Sequence, residues 1–141
     1  MPSEKTFPFE ILTPQKAFLR EDAAFVIAPG REGEFEILPG HAPFVFALQP
    51  GVVQIRRSNG TDLHVAVGNG FLVVQKDRTS ALVRSAEYAE DIDNARAERA
   101  KGRAEKRLKE HSSGVDRERA RSALKRADAR LKVKELERGK R

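Results

Sequence analysis

All seven prolines and all eight phenylalanines of this chain lie at or before Phe71, and the stretch beyond is composed differently. Proline is kept out of helix interiors and central strands, so its distribution separates a turn-rich part from one free to form long helices. Charge breaks nearby. Up to Ala86 nine Lys and Arg balance nine Asp and Glu, whereas from Glu87 to Arg141 eighteen basic residues face twelve acidic ones. The net charge of +6 therefore sits wholly beyond a boundary near Ala86. We read two modules, residues 1–86 and 87–141.

In the first module short apolar runs recur between breakers: Phe7–Leu12, Ala24–Ala28, Phe35–Leu38, Phe44–Leu48, Val52–Arg56, Leu63–Val67, Phe71–Gln75 and Ala81–Arg84. Pro29-Gly30, Pro39-Gly40, Pro50-Gly51, Asn59-Gly60 and Gly68-Asn69-Gly70 separate them. Runs of this length at this spacing predict an all-β sandwich or barrel, and we expect a sandwich. Asn59-Gly60 is expected to make a two-residue hairpin turn with positive φ at both positions. The phenylalanines are expected to supply much of the core.

The second module is proline-free and rich in Ala, Arg, Glu and Lys, all good helix formers. One helix is expected over Glu87–Glu110 and another over Asp116–Glu137, interrupted at His111-Ser112-Ser113-Gly114, with Ser113 or Asp116 as the second cap. A short connection implies an antiparallel hairpin. Helical spacing aligns Ala89, Ala97, Ala100, Ala104 and Leu108, and then Ala120, Leu124, Ala127 and Leu131. Such seams bury little. A CH₂-sized group is worth about 0.8 kcal/mol against about 1.5–3 for a buried Leu, while backbone ordering costs about 1–2 kcal/mol per residue. Gly102 within the first helix costs up to about 1 kcal/mol more. The hairpin is expected to fold well only when docked, and to undock readily.

Two accounts fit Asp93, which falls within the alanine face. It is either a first-turn acid offsetting the helix dipole and bonded to Arg96, or a partly buried carboxylate that needs a cationic or ligand donor. Arg119, Arg126 and Arg130 share one face of the second helix, and Arg96 and Arg103 one face of the first. Gathered together, these guanidiniums would suit a polyanion such as a triphosphate; dispersed, they form an ordinary solvated basic face.

With no cysteine, the chain has no disulfide, thiol nucleophile or Cys-ligated zinc. Met1 to Glu10 shows no basic segment leading into an apolar core, so no signal peptide is expected. Apolar runs such as Phe71 to Val74 fall far short of the roughly 20 residues that span a bilayer, and membrane association is expected only through partners. No G-x-x-x-x-G-K-[ST] loop is present, and His41, His64 and His111 lack ligand-like spacing, which argues against catalysis. The rival from another class is a basic helical module that binds nucleic acid. Against it stand twelve interspersed acids, a single aromatic in the tail, Tyr88, and the absence of a recognised motif.

Gly33-Glu34-Phe35-Glu36-Ile37-Leu38-Pro39-Gly40-His41-Ala42-Pro43 resembles the G-E-x-G-(I/V)-L-P-G-H-A-P signature of the ε subunit of rotary F-type ATP synthases, with Glu36 where glycine is usual. Leu48-Gln49-Pro50-Gly51, Gly68-Asn69-Gly70-Phe71 and Ser112-Ser113-Gly114-Val115-Asp116 resemble later segments in the right order. The resemblance implies an α+β chain, an N-terminal β-sandwich followed by a C-terminal antiparallel two-helix hairpin. It implies a non-catalytic subunit whose partners are the γ subunit of the shaft, the ring of c subunits and the α/β catalytic hexamer. It places Glu34 near the ring and His41 in the shaft-facing region; taken alone, these residues read as a solvated loop acid and a turn histidine bonded to backbone. The family's hairpin permits rotation when folded down and blocks ATP hydrolysis when extended. Lys125, Arg126, Arg130, Lys132 and Lys134 are the candidates for hexamer contact. Ile92-Asp93-Asn94-Ala95-Arg96-Ala97 also matches the (I/L)-D-x-x-R-A motif of relatives that hold ATP as a regulatory ligand. By that resemblance Glu87, Ile92, Asp93, Arg96, Ala97, Arg103, Arg119, Arg126 and Arg130 form the candidate ATP site, and no cofactor is required.

Overall fold

In a computed structural model, residues 5–110 and 113–140 are described. His111 and Ser112, part of the expected interruption, lie outside them. Among the described residues nine strands run in chain order: β1 (Phe7–Leu12), β2 (Ala17–Gly30), β3 (Gly33–Ile37), β4 (Phe44–Leu48), β5 (Gly51–Arg57), β6 (Asp62–Val67), β7 (Gly70–Val74), β8 (Thr79–Val83) and β9 (Ala86–Tyr88). A single 3₁₀ turn, Ala89–Asp91, leads to α1 (Asn94–Lys109) and α2 (Gly114–Glu137).

The long strand β2 organises the sandwich. Its first half pairs with β1, and its second half pairs with β5 and β3. From β1 the ladder continues through β8, β7 and β4, and returns to β2 at Gly30↔Leu48. On the other side β5 is followed by β6 and β9. Alternation along these strands sends Phe9, Ile11, Val26, Ile37, Leu48, Val53, Ile55, Val65 and Leu72 into the interior, where each is at most 1% exposed.

The fully buried core is mainly aliphatic, with Phe7, Phe18, Phe35 and Phe46 only partly buried against it, so phenylalanine supplies less of it than expected. Phe9 alone of the eight phenylalanines is fully buried, while Phe44 and Phe71 are more than half exposed. Position in the strand decides this: in β7 the inward positions belong to Leu72 and Val74, so Phe71 points out. Phe46 stacks on Phe35 at 4.0 Å and meets Phe44 in a tilted contact at 4.5 Å.

Two further expectations are corrected. At Asn59-Gly60 only the glycine has positive φ, 87°. Gly60 N–H donates to the Arg57 carbonyl, Arg57 N–H to Thr61, and the Asn59 side chain accepts from the Thr61 N–H. That is a three-residue hairpin loop with its glycine in the left-handed position. The first helix starts seven residues later than expected, at Asn94 rather than Glu87. Ala86–Tyr88 instead completes the edge of β6, and the Tyr88 ring stacks on Phe18 at 4.4 Å. Helix propensity is a weak prior, and here unpaired strand edge and aromatic contact outweigh it. The second helix starts at Gly114, two residues before Asp116, with Ser113 as its cap. Glu36 lies in regular extended pairing with Ile27.

Candidate functional site

The hairpin docks on the sandwich mainly through α2, which lies against β5 and β6 and packs along α1. Strand β6 shows why. Val65 and Val67 face the sandwich interior, and the alternate residues His64 and Ala66 face outward yet are also buried. A strand buried on both faces needs a second layer, and α2 provides it. The outward row pairs Val52 with Ala66, Gln54 with His64 and Arg56 with Asp62. Over its apolar end sit Ile92, Ala97, Ala129 and Val133. The α1–α2 seam is alanine, with Ala104, Ala120 and Ala127 buried, while Lys101 pairs with Asp128 across it at 3.3 Å. Ala89, expected in that row, lies in the 3₁₀ turn instead.

Glu87, Arg126 and Arg130 meet at the foot of the seam. Glu87 is carried outward on β9 beside Ala66, and its Oε1 lies 2.6 Å from Nε of Arg130. Arg126 donates to the Ser122 hydroxyl at 3.0 Å and lines the same cleft. The cleft measures about 10 Å³, room for about one water. Ile92 and Ala97 are buried close by in the apolar cluster against Ala66. Among the described residues Asp93, Arg96, Arg103 and Arg119 do not line the cleft and are exposed. Asp93 caps α1: its Oδ1 accepts from the Arg96 backbone N–H at 3.1 Å. Of the two accounts of Asp93, the partly buried carboxylate is corrected, because the residue precedes the helix and stays in solvent.

The lysines expected to contact a hexamer divide between two grooves beside α2. Lys125 donates to Gln49 in the β4–β5 turn at 2.9 Å, and Lys132 lines the same groove, which also touches Glu34. Lys134 lines the opposite groove with Tyr88, Arg57 and Arg138. Glu34 is exposed on β3. The exposed His41 donates from Nδ1 to the Ala42 carbonyl at 2.9 Å, and its ring stands edge-on to Phe46 at 6.2 Å. Beside it Leu38 and Phe44 are exposed, and Val45, Phe71 and Leu82 give the β4–β7–β8 face an apolar surface.

Sequence reasoning did not anticipate the contact of Glu137 with His64, nor the bond from Lys125 to Gln49. Glu137 Oε2 accepts from His64 Nδ1 at 2.7 Å and from the His64 backbone N–H at 3.1 Å. No local pattern marks either residue. Burial opposes ionisation of Glu137, but the hydrogen bonds from His64 and Lys140 outweigh it and hold its carboxyl below the usual range.

Residues 6–89 match a family model described as ATP synthase, Delta/Epsilon chain, beta-sandwich domain, and residues 90–135 match one described as ATP synthase, Delta/Epsilon chain, long alpha-helix domain. The chain belongs to the ATP synthase epsilon-chain family. It is 45% identical over 106 residues to the ATP synthase epsilon chain of Pelotomaculum thermopropionicum, covering 75% of this chain and 78% of that one. With the epsilon chain of Nitratidesulfovibrio vulgaris (strain DP4) it shares 49% identity over 105 residues, 74% of this chain and 78% of the relative. The same fold occurs in a chain of the Euglena gracilis mitochondrial ATP synthase, with a TM-score of 0.78 at 21% identity, covering 94% of this chain and 81% of that one. A chain of the Tetrahymena thermophila mitochondrial ATP synthase, from its central stalk and c-ring, gives 0.64 at 16% identity, covering 94% and 99%. Among the described residues no helix is long and apolar enough to cross a membrane.

Proposed function

We propose that this epsilon chain is a non-catalytic central-stalk subunit of a proton-translocating ATP synthase on the cytoplasmic face of a bacterial membrane. Its sandwich grips the γ subunit and rests on the c ring, and its hairpin leaves the sandwich to inhibit ATP hydrolysis in the α/β hexamer. The observation that carries this reading is the seam itself: a hairpin packed through alanines onto a sandwich that has its own separate core. The apolar Val45, Phe71 and Leu82 face, together with the His41 turn, offers a surface suited to a protein partner. Docking occupies Lys125 with Gln49 and Arg130 with Glu87, so cations suited to acidic segments of the hexamer become available only on release. Family membership weighs against the nucleic-acid reading, and we do not retain it.

ATP is proposed as a regulatory ligand that favours the docked form by binding it preferentially. Two guanidiniums that can donate to phosphate oxygens, beside a carboxylate that can accept from an adenine amine, are the right set of groups. Ligand pockets measure about 300–1,000 Å³, so the cleft must widen and Arg130 must exchange Glu87 for phosphate oxygens. Glu34 toward the ring, and Lys132 and Lys134 toward the hexamer, complete the proposed contacts.

Reconstitution of the synthase with the full chain and with a chain ending at Asp91 tests the reading. The truncated subunit is expected to assemble while inhibition of ATP hydrolysis disappears; equal inhibition by both would overturn the switch. For the ligand, Arg126→Ala is expected to weaken ATP binding more than tenfold, about 1.4 kcal/mol. Unchanged affinity by calorimetry would remove the site.

A further inference from the structure

Among the described residues the buried polar side chains are Glu10, His64, Thr79 and Ser80. Glu10 and Ser80 bond each other within the sandwich. His64 differs, because its partner comes from the last residue of α2, 73 positions away. One oxygen of Glu137 takes both the ring and the backbone N–H of His64, and Lys140 donates to that same oxygen at 2.9 Å. Lys140 also donates to the Asp62 carbonyl on β6. The end of α2 is thereby tied to one short stretch of strand.

This tie is better shielded than the others. The His64 and Glu137 side chains are 10% and 18% exposed, against 32% and 33% for Arg130 and Glu87. A shielded charge-assisted hydrogen bond is stronger than an exposed pair, and leaving its partners unpaired but buried is costly. Its place in the hairpin matters equally. The helices are antiparallel, with Arg117 near the start of α2 bonded to the Leu108 carbonyl near the end of α1, and Ala97 packed with Val133. The end of α2 therefore lies near the point where the chain leaves the sandwich, and the start of α2 lies far from it. Fraying from the start of α2 leaves the tie intact, whereas complete departure of the hairpin must break it.

We infer that Glu137, with Lys140, closes a carboxylate clasp on His64 that sets how readily the whole hairpin leaves the sheet, independently of nucleotide. The inference rests on the reading of the hairpin as a mobile element and names a residue that regulates it. The clasp acts by position; it touches no ligand.

Native-state hydrogen exchange on the full chain without nucleotide tests it, comparing wild type with Glu137→Gln, Lys140→Ala and the exposed neighbour Glu135→Gln. In Glu137→Gln the α1 and α2 amides are expected to exchange about tenfold faster while the β1 and β8 amides keep their wild-type rates. Lys140→Ala is expected to give about threefold, and Glu135→Gln less than twofold. Wild-type helix rates in both Glu137→Gln and Lys140→Ala would overturn the clasp and leave the mobile hairpin standing. If the wild-type helices exchanged only together with β1 and β8, in one global opening, the mobile hairpin would fall and the clasp with it. Equal acceleration of helices and strands in Glu137→Gln would show a general structural role and overturn the clasp alone.

Discussion

The sandwich and the hairpin of this chain both exclude water from a seam, but with side chains of very different size. Inside the sandwich Ile11, Ile37, Leu48, Ile55 and Leu72 interlock with valines from neighbouring strands. Between and beneath the helices the buried residues are Ala97, Ala104, Ala120, Ala127 and Ala129, with Val133 and, just before α1, Ile92 against the sheet. Each alanine removes little more than a methyl group from water, so the hairpin orders each residue of backbone with a fraction of the apolar gain. Polar ties make up part of the difference: Lys125 to Gln49, Arg130 to Glu87 and Glu137 to His64. Polar ties can be exchanged for water or a ligand, which a packed isoleucine cannot. The comparison teaches that one chain carries a densely packed body and a lightly packed arm, the arm that is proposed to be releasable, by changing side-chain volume rather than fold quality.

The comparison breaks most visibly under core truncation. Ile55→Ala is expected to cost about 2–5 kcal/mol and lower the midpoint of global denaturant unfolding. Val133→Ala, equally buried, is expected to leave that midpoint in place and to loosen only the hairpin, by about 1.5 kcal/mol in the exchange of its amides. If both variants shifted one common transition by similar amounts, the two-body picture would be wrong.

Acid sharpens the contrast. Glu10 is held below the usual carboxyl range mainly by the Ser80 hydroxyl, against burial and with help from Arg20 and Arg78. Asp62 is lowered mainly by its bond to Arg56, which outweighs burial. Glu137 is lowered as well, faced by His64 on β6, by Lys140 beyond its own helix and by Arg57 on β5. A carboxyl lowered in the folded state contributes stability above its unfolded value, and that contribution is lost as pH falls through the lowered one. Both bodies therefore weaken on acidification, and the arm, with less apolar burial in reserve, is expected to undock first. A circular dichroism and near-ultraviolet titration from pH 7 to pH 3 checks the order; a single coincident transition would contradict it.

The smallest expected effect concerns Gly102, which is exposed on α1 with open space where a Cβ would go. Gly102→Ala should raise helix stability by up to about 1 kcal/mol and slow exchange in α1 without altering the strands. No change in α1 protection would mean that packing on α2 alone sets the arm's stability.

Much of this was legible in the residues. The separation of proline and phenylalanine from the alanine-rich stretch marks strands and helices, because each depends on local spacing and backbone freedom. Ser113, one of two candidate caps of α2, and the apolar runs that became β5 and β6 were readable for the same reason. The start of α1 was not, since β9 exists only because the edge of β6 and the Phe18 ring await it. Nor was the modest share of phenylalanine in the core, which follows from which face each strand turns inward. At the candidate site, Glu87, Arg126 and Arg130 were named and do meet, whereas Asp93 was given two accounts and only the docked chain shows it as an exposed cap.

Taken alone, the order of residues determined two modules, their element types and an arm whose seam is alanine-rich, all properties that act over a few neighbouring positions. Tertiary structure decided which face of β6 is covered, which arginine answers Glu87 and where Glu137 closes. Those partners stand 43 and 73 positions apart, and only docking of α2 on β6 brings them within hydrogen-bonding reach.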